Sequence, residues 1–263
     1  MKIYATGIGL WCEIAHNWQQ FKNIYSGQDI ALAPDRIDLS EMPPAERRRC
    51  PKTGKVAFEA AMQACLMAKV APSTVASVFT SIMADGEVTD AICSSLASEE
   101  KLLSPTKFHN SVQNAPAGYW AISHENHLPC NFVGGHLNSW AVALLDAAAQ
   151  CASQQRDILL VCYDIQNSSP LNDICNIEED FACAILLTSS QDNGNAIELD
   201  LDIQAGTVDS PKSKNAELDR VIDATPAATA AIQLEAFLEQ SPSVTEWPLG
   251  TGTFLRVTST RTL

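Results

Sequence analysis

Residues 139–164 read SWAVALLDAAAQCASQQRDILLVCYD, and their first half restricts the fold more than any other stretch. Between Ser139 and Ala152 the only charge is Asp146, and small or apolar residues occupy nearly every helical face. A helix without a polar side must be enclosed on all sides. Residues 157–164 (DILLVCYD) then form an apolar run of the length of a strand buried on both faces, and residues 181–188 (FACAILLT) form a second. An enclosed helix beside doubly buried strands calls for a layered α/β domain.

Reading outward, residues 3–10 (IYATGIGL) make a first strand, residues 54–70 a helix of 3.6-residue period, and residues 75–83 (VASVFTSIM) a β-branched strand. The turn Ala84-Asp85-Gly86 leads to a helix over 87–97, and residues 110–123 have helical character despite Pro116. Residues 129–133 (PCNFV) form a short strand ending at Gly134-Gly135, after which Asn138 or Ser139 caps the 139–152 helix. A polar stretch, 189–195, precedes 196–203 (AIELDLDI), whose alternation predicts one wet face. A solvated loop over 210–215, a helix over 226–239 and a closing strand over 253–258 complete the pattern. Without a repeat or a long linker, residues 1–263 read as one domain.

The chain has 263 residues, 46% hydrophobic and 18% charged, a balance that supports a large core. Its 17 Lys and Arg against 31 Asp and Glu give a net charge of -14, which repels phosphate backbones and anionic membranes, so no nucleic-acid partner is expected. The start, MKIYATGIGLW, lacks the apolar run of a secretory signal, and no stretch approaches the ~18 apolar residues of a membrane span. The expected location is the cytoplasm. Nine cysteines without a CxxC pair read as small buried thiols in a reducing compartment.

Metal chemistry is not expected: His124-Glu125-Asn126-His127 has the wrong spacing for an HExxH helix. Nor does any motif call for a cofactor. Glu178-Glu179-Asp180, three acids before a buried strand, read as a solvated turn, and Arg47-Arg48-Arg49 is the basic cluster of an acidic chain.

Residues 104–122, SPTKFHNSVQNAPAGYWAI, resemble the stretch before the active-site cysteine of β-ketoacyl synthases, where an S/P-rich turn leads into a helix carrying N-x-x-A-G-x-x-A-I. Here that core runs from Asn114 to Ile122. In those enzymes a short strand follows, then the nucleophilic Cys at the start of a buried helix, then an aliphatic strand. Residues 129–133, 139–152 and 157–164 fill those places in order. Residues 42–65, with the three arginines, also look like the ketosynthase region before its first long helix. The resemblance covers roughly residues 1 to 190 and implies a thiolase-like fold, the N-terminal half of a ketosynthase, with a layered mixed β-sheet and a buried central helix.

Two departures bear on function. Counting without gaps forward from Asn114 and backward from Asp157 puts Leu137 at the nucleophile position, and Trp140 where a glycine leaves room for the acyl thioester. The chain also ends before a second half with two further catalytic histidines would be built. Gly250-Thr251-Gly252-Thr253 matches a GTGT that follows one of those histidines, but Leu249 precedes it, so the match reads as coincidence.

The chain therefore resembles the half-length chain length factors of aryl polyene clusters, which share the phrase S-P-T-x-F-x-x-S-V-x-N-A-x-A-G. That resemblance implies a non-catalytic subunit paired with a full-length β-ketoacyl synthase in type II polyketide or fatty-acid-like synthesis, meeting the acyl carrier protein through its partner. It places Asn114 and the strand Pro129, Cys130, Asn131, Phe132 and Val133 at the partner interface, with Asn131 and Val133 as ladder donors. It also sets Lys107 and Phe108 in a turn reaching the partner's acyl tunnel, Phe108 as the stop, while a bland reading makes Phe108 a core anchor. Arg47, Arg48 and Arg49 become a docking patch for the acidic carrier, with His136 as a polar neighbour of Leu137. Two readings compete: an acyltransferase using a thiol such as Cys130, and a stand-alone module that binds an acyl thioester.

Overall fold

The two apolar runs pair antiparallel with each other, Ile158 opposite Leu187 and Asp164 opposite Phe181. A computed structural model describes residues 1–28, 37–167, 170–191, 196–239 and 242–261. Strand β1 (Lys2–Cys12) is followed by helices α1 (Trp18–Tyr25), α2 (Pro44–Arg49) and α3 (Lys52–Ala68). Next come β2 (Ala76–Thr80), α4 (Gly86–Ala97), α5 (Pro105–Asn110), α6 (Ala115–Ser123), β3 (Cys130–Phe132), α7 (Ser139–Gln154) and β4 (Ile158–Asp164). The rest of the chain forms β5 (Phe181–Thr188), β6 (Ile197–Ala205), α8 (Ala216–Ala224), α9 (Ala230–Ala236) and a hairpin of β7 (Ser243–Gly250) and β8 (Thr253–Arg261).

One eight-stranded mixed sheet runs β3-β2-β4-β5-β1-β6-β8-β7, with β2 parallel to both β3 and β4 and the other pairings antiparallel. Successive residues of β4 serve opposite layers. Ile158, Leu160 and Cys162 join the cluster built with α7 and α9, whereas Leu159, Val161 and Tyr163 join the one built with α3 and α6. A bulge between Ala5 and Gly7 shifts the parity of β1, so that Ile3 and Ala5 share a core with Ile8, Leu10 and Cys12. Gly7 and Gly9 then lie under α3, where a Cβ would come within 2.1 Å of the Ala64 carbonyl oxygen and 1.9 Å of that of Ala60. Only glycine lets the helix backbone rest on the strand there.

Several expectations need correction. The helix over 110–123 starts only at Ala115, as α6, after the separate short α5 has ended at Asn110; Pro116 falls in the first turn of α6, where its missing N–H costs nothing. Neither Asn138 nor Ser139 caps α7 through its side chain. A 3-10 turn, His136–Asn138, runs straight into the helix, while Ser139 Oγ accepts from Gly135 N (3.0 Å) and donates to His136 O (2.6 Å). The 226–239 segment breaks into a 3-10 turn, Pro226–Thr229, and the short α9, all seven residues of which are buried. Helices α1, α2 and α8 and strand β7 had no sequence counterpart. Residues 192–195 of the polar stretch lie outside the described residues.

The enclosure of α7 is also incomplete. The central strands, β7 at the far edge of the same sheet and the Pro226–Thr229 turn all contact it, so the chain supplies cover of its own. Val142, Leu145, Ala149 and Ala152 remain as a half-open stripe, with Ala149 exposed. No helix among the described residues is long and apolar enough to cross a membrane.

Replacing Gly9 with alanine forces β1 and α3 apart and should cost about 3 kcal/mol. Gly118→Ala, where nothing lies within 4 Å of the new Cβ, should gain about 0.5–1 kcal/mol from helix propensity. Thermal denaturation of the two variants checks this contrast.

Candidate functional site

The 3-10 turn between β3 and α7 holds the position read as the vestigial nucleophile. Leu137 is 58% exposed, and Trp140, one turn on, is 2% exposed. Thr80 Oγ1 at the end of β2 donates to Val133 O (2.7 Å) and fixes the strand that enters this turn. Trp140 meets Trp247 of β7 edge-on, with ring centroids 6.4 Å apart, and Trp247 Nε1 donates to Thr245 Oγ1 (3.0 Å). The cleft bounded by Leu137, Trp140, Pro211, Thr229, Trp247 and Pro248 retains about 10 Å³, the lower limit for a single water and far below the needs of an acyl chain. Trp140 Nε1 is buried without an acceptor among the described residues. Sequence reasoning found Trp140 but missed Trp247, because the proline in SVTEWPLG obscures a strand. The GTGT segment is the β7–β8 turn, with Gly250 at φ 149° and Gly252 at φ 77°.

Strand β3 lies at a free edge of the sheet. Ser77 N donates to Pro129 O (3.0 Å) and Val133 N to Phe79 O (2.9 Å), so residues 129 and 133, and by alternation 131, bond inward to β2. The outward groups are therefore those of Cys130 and Phe132, which corrects the assignment of Asn131 and Val133 as donors to a partner. Asn126, between the two histidines of the rejected metal motif, seats this strand: its Nδ2 donates to Pro72 O and Val75 O, both at 2.8 Å. Ile122, Leu128 and Leu137 flank β3 in sequence and are exposed. Asn114 is exposed at the head of α6 and makes no side-chain cap.

Lys107 and Phe108 stand on α5, not in an open turn. Ser104 caps that helix, and Asn110 at its end donates to Arg49 O (2.9 Å) and accepts from Tyr119 Oη (2.9 Å). Capped at its start and tied down at Asn110, α5 presents Phe108 to solvent, 65% exposed, so the core-anchor reading is wrong. Leu96, Leu102, Leu103 and Val112 are exposed near it in sequence, an apolar concentration of the kind that marks an interaction surface.

The remaining candidates separate. Seven cysteines are buried, Cys130 is half-buried and Cys93 is exposed on α4, an exception to the buried-thiol expectation. Burial raises the Cys130 pKa above its ordinary value against a hydrogen bond from Ser77 Oγ (3.0 Å), which favours the thiol over the thiolate that a nucleophile needs. His136 is exposed, at φ 53°. The three acids are no mere solvated turn: Glu179 pairs with Arg220, and Asp180 with Lys52 (2.5 Å). The arginines on α2 are all exposed; Arg47 donates to Met42 O (2.9 Å) and Arg49 pairs with Glu46. Among the described residues no three His, Cys, Asp or Glu gather as a metal site.

No curated protein matches the chain. Among solved structures it resembles a ketosynthase (ApeO) in complex with its chain length factor (ApeC) from Xenorhabdus doucetiae, at 17% identity and a TM-score of 0.71 over 98% of this chain and 99% of that one. It also resembles the ishigamide ketosynthase/chain length factor, at 12% identity and a TM-score of 0.70 over 99% of each. A third likeness is to the AntDE:AntF complex of a type II carrier protein with its ketosynthase, at 10% identity and a TM-score of 0.73 over 98% and 99%. These likenesses establish the thiolase-like ketosynthase fold. The sequence model of the β-ketoacyl synthase N-terminal domain matches residues 16–247, and the chain belongs to that family.

Proposed function

We propose that this chain is a non-catalytic chain length factor that pairs with a full-length β-ketoacyl synthase in type II, aryl polyene-like synthesis. The observation that carries this reading is the Trp140–Trp247 pair beside Leu137, which leaves a cleft of only about 10 Å³; in this reading Leu137 stands at the nucleophile position and the indoles take the space of an acyl group. The chain length factor named in one structural relative supplies the class of role. In this reading the free edge of β3 continues the partner's sheet, α5 carries Phe108 into the partner's acyl tunnel, and the half-open stripe of α7 adds apolar area. The carrier protein is met through the partner, with Arg48 as the arginine of α2 best placed to touch it. The pair works in the cytoplasm, without a metal or cofactor held by this chain.

Incubated with acyl and malonyl carrier proteins, the purified chain should form no ketoacyl product, and Cys130→Ala should change nothing. A product that disappears in that variant would restore the thiol-enzyme reading.

Phe132→Pro removes an outward N–H that the interface ladder needs. Against Phe132→Ala, which trims the ring but keeps the donor, it should weaken the complex by about 1–3 kcal/mol, tenfold or more in Kd. Asn131→Pro removes an inward donor instead, so its effect should appear as lower thermal stability of the chain itself.

Phe108→Ala should leave the exposed helix within about 0.5 kcal/mol of its original stability. Mass analysis of products from the reconstituted pair should then find chains longer by one or more two-carbon units. Unchanged lengths from an intact complex would remove Phe108 as the stop.

A further inference from the structure

Strand β4 ends in a carboxylic acid with no counter-charge among the described residues. Asp164 is 0% exposed, and its Oδ1 accepts from Ser81 Oγ (2.6 Å) and Ile82 N (3.0 Å). Ser81 Oγ in turn accepts from Ala84 N (2.8 Å), so one carboxyl group closes the loop between β2 and α4. That loop delivers Asp85, which caps α4 through Val88 N (2.9 Å) and accepts from Thr53 Oγ1 of α3 (3.2 Å). The other oxygen of Asp164, Oδ2, is buried without a partner among the described residues, as is Oδ1 of Asn167, three residues on. An orphaned acceptor on a buried carboxyl group signals a missing donor, and a proton on Asp164 is the smallest one.

Among the described residues no cation faces it. Cys162 and Tyr163 flank the acid on its own strand, Cys175 approaches from the connection to β5, and Asp85 lies beyond Tyr163 on the loop side. The Pro226–Thr229 turn brings only the Ala227 backbone. We infer that Asp164 is a proton-operated latch on the 81–86 loop, which closes more firmly when the acid is neutral than when it is charged. Burial pushes the group up to about 6, against the opposing pull of Ser81 Oγ and the backbone N–H groups of Ile82, Met83 and Ala227. An acid raised above its unfolded value of about 3.9 burdens the fold with a buried charge above pH ~6. That burden lifts as pH falls from about 6 towards about 4.

The test is amide exchange across 81–86, corrected for intrinsic rates, in the purified chain or in its co-purified complex if the chain is recovered only with a partner. Between pH 8 and pH 5 the wild-type loop should become about tenfold better protected. Asp164→Asn, which cannot ionise, should lose that response, while the histidines and other acids contribute equally to both proteins. If Asp164→Asn fails to fold, a carboxyl 13C titration of the wild type decides: a midpoint near 6 supports the latch. A midpoint near 4, or identical pH responses in the two proteins, overturns it.

Discussion

Two strands with no wet face govern the rest of the molecule. All seven residues of β4 and all but the last of β5 are buried, so the sheet must be covered on both sides wherever they run. Helix α7 covers one face and α3 the other, each with alanines where it meets the sheet. The close approach of α3 then dictates glycine at positions 7 and 9, and the bulge in β1 brings those glycines under the helix without exposing Ile8 or Leu10. Fold and composition are thus one constraint: small residues are used where backbones touch, and branched ones fill the space between.

The same layering fixes the backbone around Leu137. The start of α7 sits at the ends of β2 and β3, held by Thr80 and Ser139 regardless of which side chain occupies position 137. Little room is left beside that turn. The space is taken by Trp140 and by Trp247 from the C-terminal hairpin, at the cost of one buried indole N–H without an acceptor. Strand β7 of that hairpin and the Pro226–Thr229 turn give the C-terminal third a structural task, because they extend the cover of α7 beyond the central strands.

Much of this was legible in order and spacing. The run from Asn114 to Asp157 fixed Leu137 and Trp140 by counting alone, and the continuous apolar runs announced the central strands. Other features were hidden because sequence reports residue type and not direction. Asn131 and Val133 looked like donors to a partner, but alternation from the bond between Val133 and Phe79 turns them inward. Phe108 read as a tunnel stop or as a core anchor, and its 65% exposure on α5, which Asn110 ties to Arg49, removes the anchor. Three adjacent arginines looked like one patch, yet two are spent on local partners.

By itself, the sequence determined the layered class and the family, since each depends on periodicity or on residue identity at a counted place. Only the tertiary structure decided what packs beside Leu137, which backbone groups of β3 remain unpaired, and that Asp164 stands without a counter-charge among the described residues. Each of these depends on segments distant in the chain, residues 140 and 247, 79 and 133, 81 and 164, meeting in space. Local patterning cannot encode the distance between such pairs; packing the two faces of one sheet does.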